Sequence, residues 1–285
     1  MLINRCWVLS ALNESIFKLQ VMPMQNDMEL SSYIEQQKQT RKKRVFAVEW
    51  KGRKVWVKQS EQHIQSVWHK LGDVVASITS NPLFTSTVSE GGVAALKDEI
   101  RRLQVLRSKG VAVPAVLASG DDWFAIEDAG IALHHILQGK QHEYSASEQQ
   151  EILQQAAYAL AKLHHNGRWH GRPALRDILW NGFNIVFIDF EEDLAAKISP
   201  LDCMVRDLFL LIHGLYRYLP EDSTLVLDVW RTYQRNAPRD VWLATCHLAG
   251  RMGWIFQAAR LLKGVGGHDV KQTYATLKFL RKQAE

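Results

Sequence analysis

RVFAVEWKGRKVWVKQ, beginning at Arg44, is two runs rich in Val, Phe and Trp on either side of Lys51-Gly52, which predicts a β-hairpin turning at that pair. Lys58 falls at the end of the second run. Farther on, VAALKDEIRRLQVLRSKG repeats apolar residues at Leu96, Ile100, Leu103 and Leu106, the spacing of an amphipathic helix that Gly110 would stop. Glu99 lies beside that stripe. VAVPAVLASGDDWFAIED reads as short strands split by a turn at Gly120-Asp121-Asp122, and Ala129-Gly130 as a linker.

Helical periodicity dominates the second half. Ser147 followed by Gln150 has the form of a capping box, and Leu153, Ala156, Ala157, Leu160, Leu163 and His164 line one face before Gly167. The runs ILW and IVFI bracket Asn181-Gly182, a second hairpin signal. VRDLFLLIHGLYRYL, 205–219, is apolar enough for a buried helix. Residues 223–285 read as Trp- and Leu-rich helices broken near Asn236-Ala237-Pro238 and at 264–267. The expected organisation is a poorly defined segment 1–40, a β-rich part 41–129 and a helical part 130–285. Residues 60–90 hold an apolar helical portion, 67–78, and a turn-rich piece without an assigned role.

With 285 residues and 47% hydrophobic content the chain can bury a large core. It has no apolar run of membrane-spanning length and no signal-peptide pattern, so a cytoplasmic location, peripheral to the inner membrane at most, is expected. Cys6, Cys203 and Cys246 are odd in number and far apart, which suits reduced thiols. Net charge is +5, densest in TRKKR at 40–44, which suits contact with phosphates or an anionic membrane surface as well as it suits a plain solvated face. Basic residues are otherwise scattered and match no known module, so nucleic acid is not an expected partner. Trp230, Trp242 and Trp254 are expected in a helical core.

Candidate chemistry centres on WHGRPALRDILWNGFNIVFIDFEED. Asp189 follows one apolar run and Asp177 precedes its partner, so a hairpin would bring two carboxylates together, as a hard divalent cation requires. Taken alone, each carboxylate at such a place is more often a cap or turn residue.

The order of these features resembles the protein kinase-like fold: VWVK resembles its strand lysine motif, HGRPALRDILW its catalytic loop, and IDFEE its metal-binding segment. More narrowly, HG followed by IDF resembles bacterial lipopolysaccharide (Kdo/heptose) kinases and related small atypical kinases. The resemblance covers roughly residues 44–215. It implies an α+β, two-lobed fold with a β-rich N-lobe and a helical C-lobe, and an ATP- and Mg2+-dependent phosphotransferase. Lys58 would take the nucleotide's phosphates, paired with Glu99, with Glu127 also on the cofactor side; Asp189 and Asp177 would hold magnesium. His170 would support the loop backbone. Asp207 resembles the aspartate that braces that loop, although an ordinary acid in a helix's first turn reads as well. His164 and His165 read as surface or dipole-matching histidines.

The family's catalytic aspartate is replaced by Arg172, which stays protonated and cannot act as a base. Either Asp177 or water then takes the acceptor's proton, with Arg172 clamping an anionic group, or the chain is a pseudokinase that binds nucleotide or a partner without catalysis. No GxGxxG precedes the first β-run, and Glu191 stands where the glycine after Asp-Phe is usual. The acceptor implied is a sugar or lipid-linked hydroxyl.

Overall fold

The computed structural model describes residues 28–41, 43–60, 92–139, 144–190 and 198–284. Cys6, the helical and turn-rich pieces expected within 61–91, Lys42 of the basic cluster and Glu191 lie outside these ranges. The chain divides into two compact units, one holding the described residues of 1–64, 90–105 and 115–128, the other those of 106–114 and 129–285. The first is β-rich and the second helical, the α+β, kinase-like two-lobed class that the sequence implies.

In the first unit, residues 28–38 form a helix, α1, where the sequence pattern suggested no element. Strands β1 (Val45–Trp50) and β2 (Arg53–Gln59), helix α2 (Gly92–Ser108) and strands β3 (Val116–Ser119) and β4 (Trp123–Glu127) follow. The strands make an antiparallel sheet in the order β1-β2-β4-β3. Lys51 (φ 49°) and Gly52 (φ 73°) both adopt the left-handed conformation that a two-residue type I′ turn needs, and Trp50 pairs with Arg53 across it. Alternation then fixes one buried face: Phe46, Val48, Val55, Val57 and Ala125 pack with Leu30 and Ile34 of α1. Burying each such aliphatic side chain contributes about 1.5–3 kcal/mol, which holds in place a helix too short to persist alone.

The second unit contains β5 (Ile131–Ala132), α3 (Leu133–Gln138), α4 (Ala146–His165), β6 (Ile178–Trp180), β7 (Ile185–Phe187), α5 (Pro200–Leu215), α6 (Thr224–Asn236), α7 (Arg239–Arg251), α8 (Gly253–Leu262) and α9 (His268–Lys282). A three-stranded antiparallel sheet runs β5-β6-β7. Gly130, just before β5, has φ 106°, and a Cβ there would sit 2.1 Å from the Trp180 carbonyl oxygen, so only glycine lets β5 reach β6.

Local signals locate these elements with three corrections. The capping box of α4 is Ser145 and Glu148, two residues before the expected pair: the Ser145 hydroxyl accepts from Glu148 N–H, and the Glu148 carboxylate accepts from Ser145 N–H. The β6–β7 connection spans four residues, 181–184, because Asn181 Oδ1 accepts from both the Phe183 and Asn184 amides and forms an Asx-type turn. Trp230 is fully buried as expected, whereas Trp254 is 55% exposed. The expected α4 face is buried throughout, and α5 begins at Ser199-Pro200, with Ser199 capping the Asp202 amide. No described helix is long and apolar enough to cross a membrane.

Candidate active site

In the first unit the site residues are placed by strand alternation. Lys58 follows Val57 on β2, so it points to the face opposite the α1 core, toward α2. Its ammonium lies 2.7 and 2.6 Å from the two Glu99 oxygens, and both side chains are mostly buried. Such a pair fixes a four-carbon amine in one orientation, which the flexible side chain would not adopt by itself. Glu127, at the end of β4, accepts a 2.7 Å hydrogen bond from the Ala115 amide and thereby joins the start of β3 to its neighbour.

In the second unit the loop from α4 to β6 is held from beneath by Asp207. This residue is fully buried in the middle of α5, not in its first turn, where Asp202 stands. One carboxylate oxygen accepts from the His170 amide at 2.6 Å and the other from the Gly171 amide at 2.8 Å. The first oxygen also meets His164 Nε2 at 3.2 Å. A carboxylate only accepts, so His164 carries its proton on Nε2, and its Nδ1 accepts from the Tyr233 hydroxyl 2.5 Å away. Burial, then the Asp207 and Asp240 charges, push the Tyr233 phenol well above its usual range and keep it a donor. His164 is therefore a buried relay between α4, α5 and α6, a correction to the surface reading, while His165 is exposed. Sequence periodicity had placed His164 on the apolar face, and that was the available signal.

His170 is likewise fully buried. Its Nε2 bonds the Ile188 carbonyl at 2.9 Å and its ring stacks on Phe190 with centroids 4.5 Å apart. The loop is thus tied to the strand end that carries Asp189. The Ile188 amide in turn donates to the Asp177 carbonyl at 3.0 Å, extending the β6–β7 ladder and setting Asp177 beside the residue before Asp189.

Asp177 is 5% exposed, and its Oδ2 has no hydrogen-bond partner among the described residues. Burial, reinforced by the Asp189 charge, raises its carboxyl to about 7, against the opposing pull of Arg176 and Arg172. Asp189 has φ 58°, a strained conformation for a residue with a side chain, and its Oδ2 lies 3.3 Å from Arg172 Nη2. Arginine and the two aspartates therefore occupy one corner of this unit. The orphaned, desolvated oxygen of Asp177 next to a second carboxylate fits a divalent cation whose remaining ligands come from water and phosphate. Among the described residues no group of three or more His, Cys, Asp or Glu is arranged to hold a metal. Magnesium is commonly held by one or two protein carboxylates together with substrate phosphates.

Residues 43–180 match the phosphotransferase enzyme family (APH). The chain is also similar to an uncharacterized protein of Haemophilus influenzae, 26% identical over 236 residues that cover 82% of this chain and 88% of the relative. The family match supports a kinase-like fold and a kinase-type phosphotransferase.

Proposed function

We propose that the protein is an ATP- and Mg2+-dependent phosphotransferase acting on a hydroxyl of a lipopolysaccharide sugar or a similar bacterial small molecule, at or near the inner membrane. The observation that carries this reading is the Asp177–Asp189 corner, with a buried oxygen that has no partner among the described residues and a loop braced by Asp207. Members of the matched family generally use ATP and magnesium. Asp189 and Asp177 would hold the metal, which when bound would offset the negative charge of the phosphate oxygens.

The remaining roles fall to the chain itself. Lys58, steered by Glu99, would hold the nucleotide's α/β-phosphates, with Glu127 on the same cofactor side. Arg172 is always cationic and would clamp the transferring phosphoryl group or an anionic acceptor. The proton of the acceptor hydroxyl would pass to Asp177 or to water, since a loose transition state asks little of a base. His170 keeps the loop and the Asp189 turn in register through its bond to Ile188.

One observation favours the pseudokinase as a second reading: Arg172 already pairs with Asp189, so an internal cation stands beside the proposed metal ligand. Labelled phosphate transfer from ATP to lipopolysaccharide sugars separates the two. Transfer that vanishes in Asp189→Ala and Lys58→Ala supports the enzyme; thermal stabilisation by nucleotide without any turnover supports the pseudokinase. Asp177→Asn should weaken the magnesium dependence, and an unchanged magnesium response removes Asp177 from the site.

A further inference from the structure

Helix α8 and the turn after it carry an apolar face that the rest of the second unit does not cover. Trp254 is 55% exposed, Leu261 83%, Leu262 51% and Val265 89%, and with Ala258 they recur at the three- and four-residue spacing of one helical side. The opposite side is anchored: Ala259 is buried, and Phe256 stacks on Tyr274 of α9 with ring centroids 5.5 Å apart. The helix is therefore held with its apolar row outward, and fraying does not account for the exposure.

Charge identifies the occupant. Arg251, Arg260 and Lys263 are all exposed in the same stretch of chain, Lys263 with its ammonium over the Tyr274 ring, and residues 241–268 contain no Asp or Glu. The next acid, Asp269, is within 3.8 Å of Arg217. A two-fold contact with a second copy would oppose basic rims with no acid in the segment to neutralise them. Nucleic acid would answer the charges but leave the four large apolar side chains in water. An anionic bilayer surface satisfies both, with apolar side chains entering the acyl boundary, Trp254 at headgroup depth and the basic residues against lipid phosphates.

We infer that α8 is an interfacial docking helix that seats the protein on anionic phospholipid membranes. This inference is independent of the phosphotransferase reading, because it concerns binding without nucleotide or acceptor.

The test is co-sedimentation of the full chain with phosphatidylcholine vesicles, with and without phosphatidylglycerol, at low and high salt. Wild type is expected to bind the anionic vesicles preferentially and to leave them as salt rises. The double variant Leu261→Asp, Leu262→Asp should lose binding, and Arg260→Glu should weaken it by about fivefold or more. These positions are exposed, so circular dichroism should stay unchanged. Absence of wild-type binding, salt-insensitive binding, full binding by the double variant, or a wild-type dimer that the double variant splits would each overturn the inference.

Discussion

Asp207→Asn probes whether a single buried carboxylate holds the loop between α4 and β6. The native side chain accepts from the His170 amide, the Gly171 amide and His164 Nε2, using both oxygens. Asparagine offers one accepting oxygen, and its NH2 must face at least one of those donors. If the oxygen stays toward His170, the Gly171 amide is left buried without an acceptor; if it turns, the His170 amide and His164 are. A buried unsatisfied polar group costs about 1–3 kcal/mol, and the charge-assisted character of the surviving bonds is lost as well, so the expected destabilisation is about 3–5 kcal/mol. Urea unfolding followed by circular dichroism should show a lower midpoint at constant slope. Asp202→Asn serves as the control: it stands in the first turn of α5, where such an acid is worth only about 0.3–1 kcal/mol. A loss below about 1 kcal/mol for Asp207→Asn, or equal losses for the two variants, would refute the bracing role.

His213 is half-buried against α9, hydrogen-bonded to Thr276, and desolvation lowers its pKa to about 4. Its unfolded value is higher, so the unfolded state takes up the proton first; the contribution is fully present above about pH 6.5 and declines as pH falls toward 4, on the order of 3 kcal/mol in all. A His213→Gln variant should flatten the stability–pH curve across that window, and a slope equal to wild type would show the histidine is not its source. Gly130→Ala should destabilise by at least about 3 kcal/mol or prevent folding, because it adds a methyl against the Trp180 carbonyl at positive φ; a thermal midpoint within a degree or so of wild type would contradict this. Lys58→Met should abolish nucleotide-induced thermal stabilisation and should itself lower stability by about 1–3 kcal/mol, since the mostly buried Glu99 carboxylate loses its ammonium partner. Retained nucleotide stabilisation would remove Lys58 from the binding site.

The order of elements was legible along the chain because its causes are local. A Lys-Gly pair between β-rich runs specifies the tight turn, and the Leu96, Leu103 and Leu106 stripe specifies the buried side of α2. The pairing of Lys58 with Glu99 followed from the family resemblance. The resemblance also pointed to Asp207, whose role stayed open between brace and first-turn acid until the length of α5 was known. Helix α1 was not legible, because an eleven-residue helix has weak intrinsic propensity and forms here only through Leu30 and Ile34 entering the sheet core. The capping box slipped by two residues because Ser145 and Ser147 offer the same chemistry and only the path of the backbone chooses between them.

By itself, then, the sequence determined the β-then-α order, the turns and the residues able to carry charge. Tertiary structure alone decided their state: which histidine is buried, which oxygen of Asp177 lacks a partner among the described residues, and which row of α8 remains in water. Periodicity and turn chemistry act over a few residues, whereas desolvation and hydrogen-bond satisfaction depend on groups brought together from distant positions, such as His164 and Tyr233, 69 residues apart.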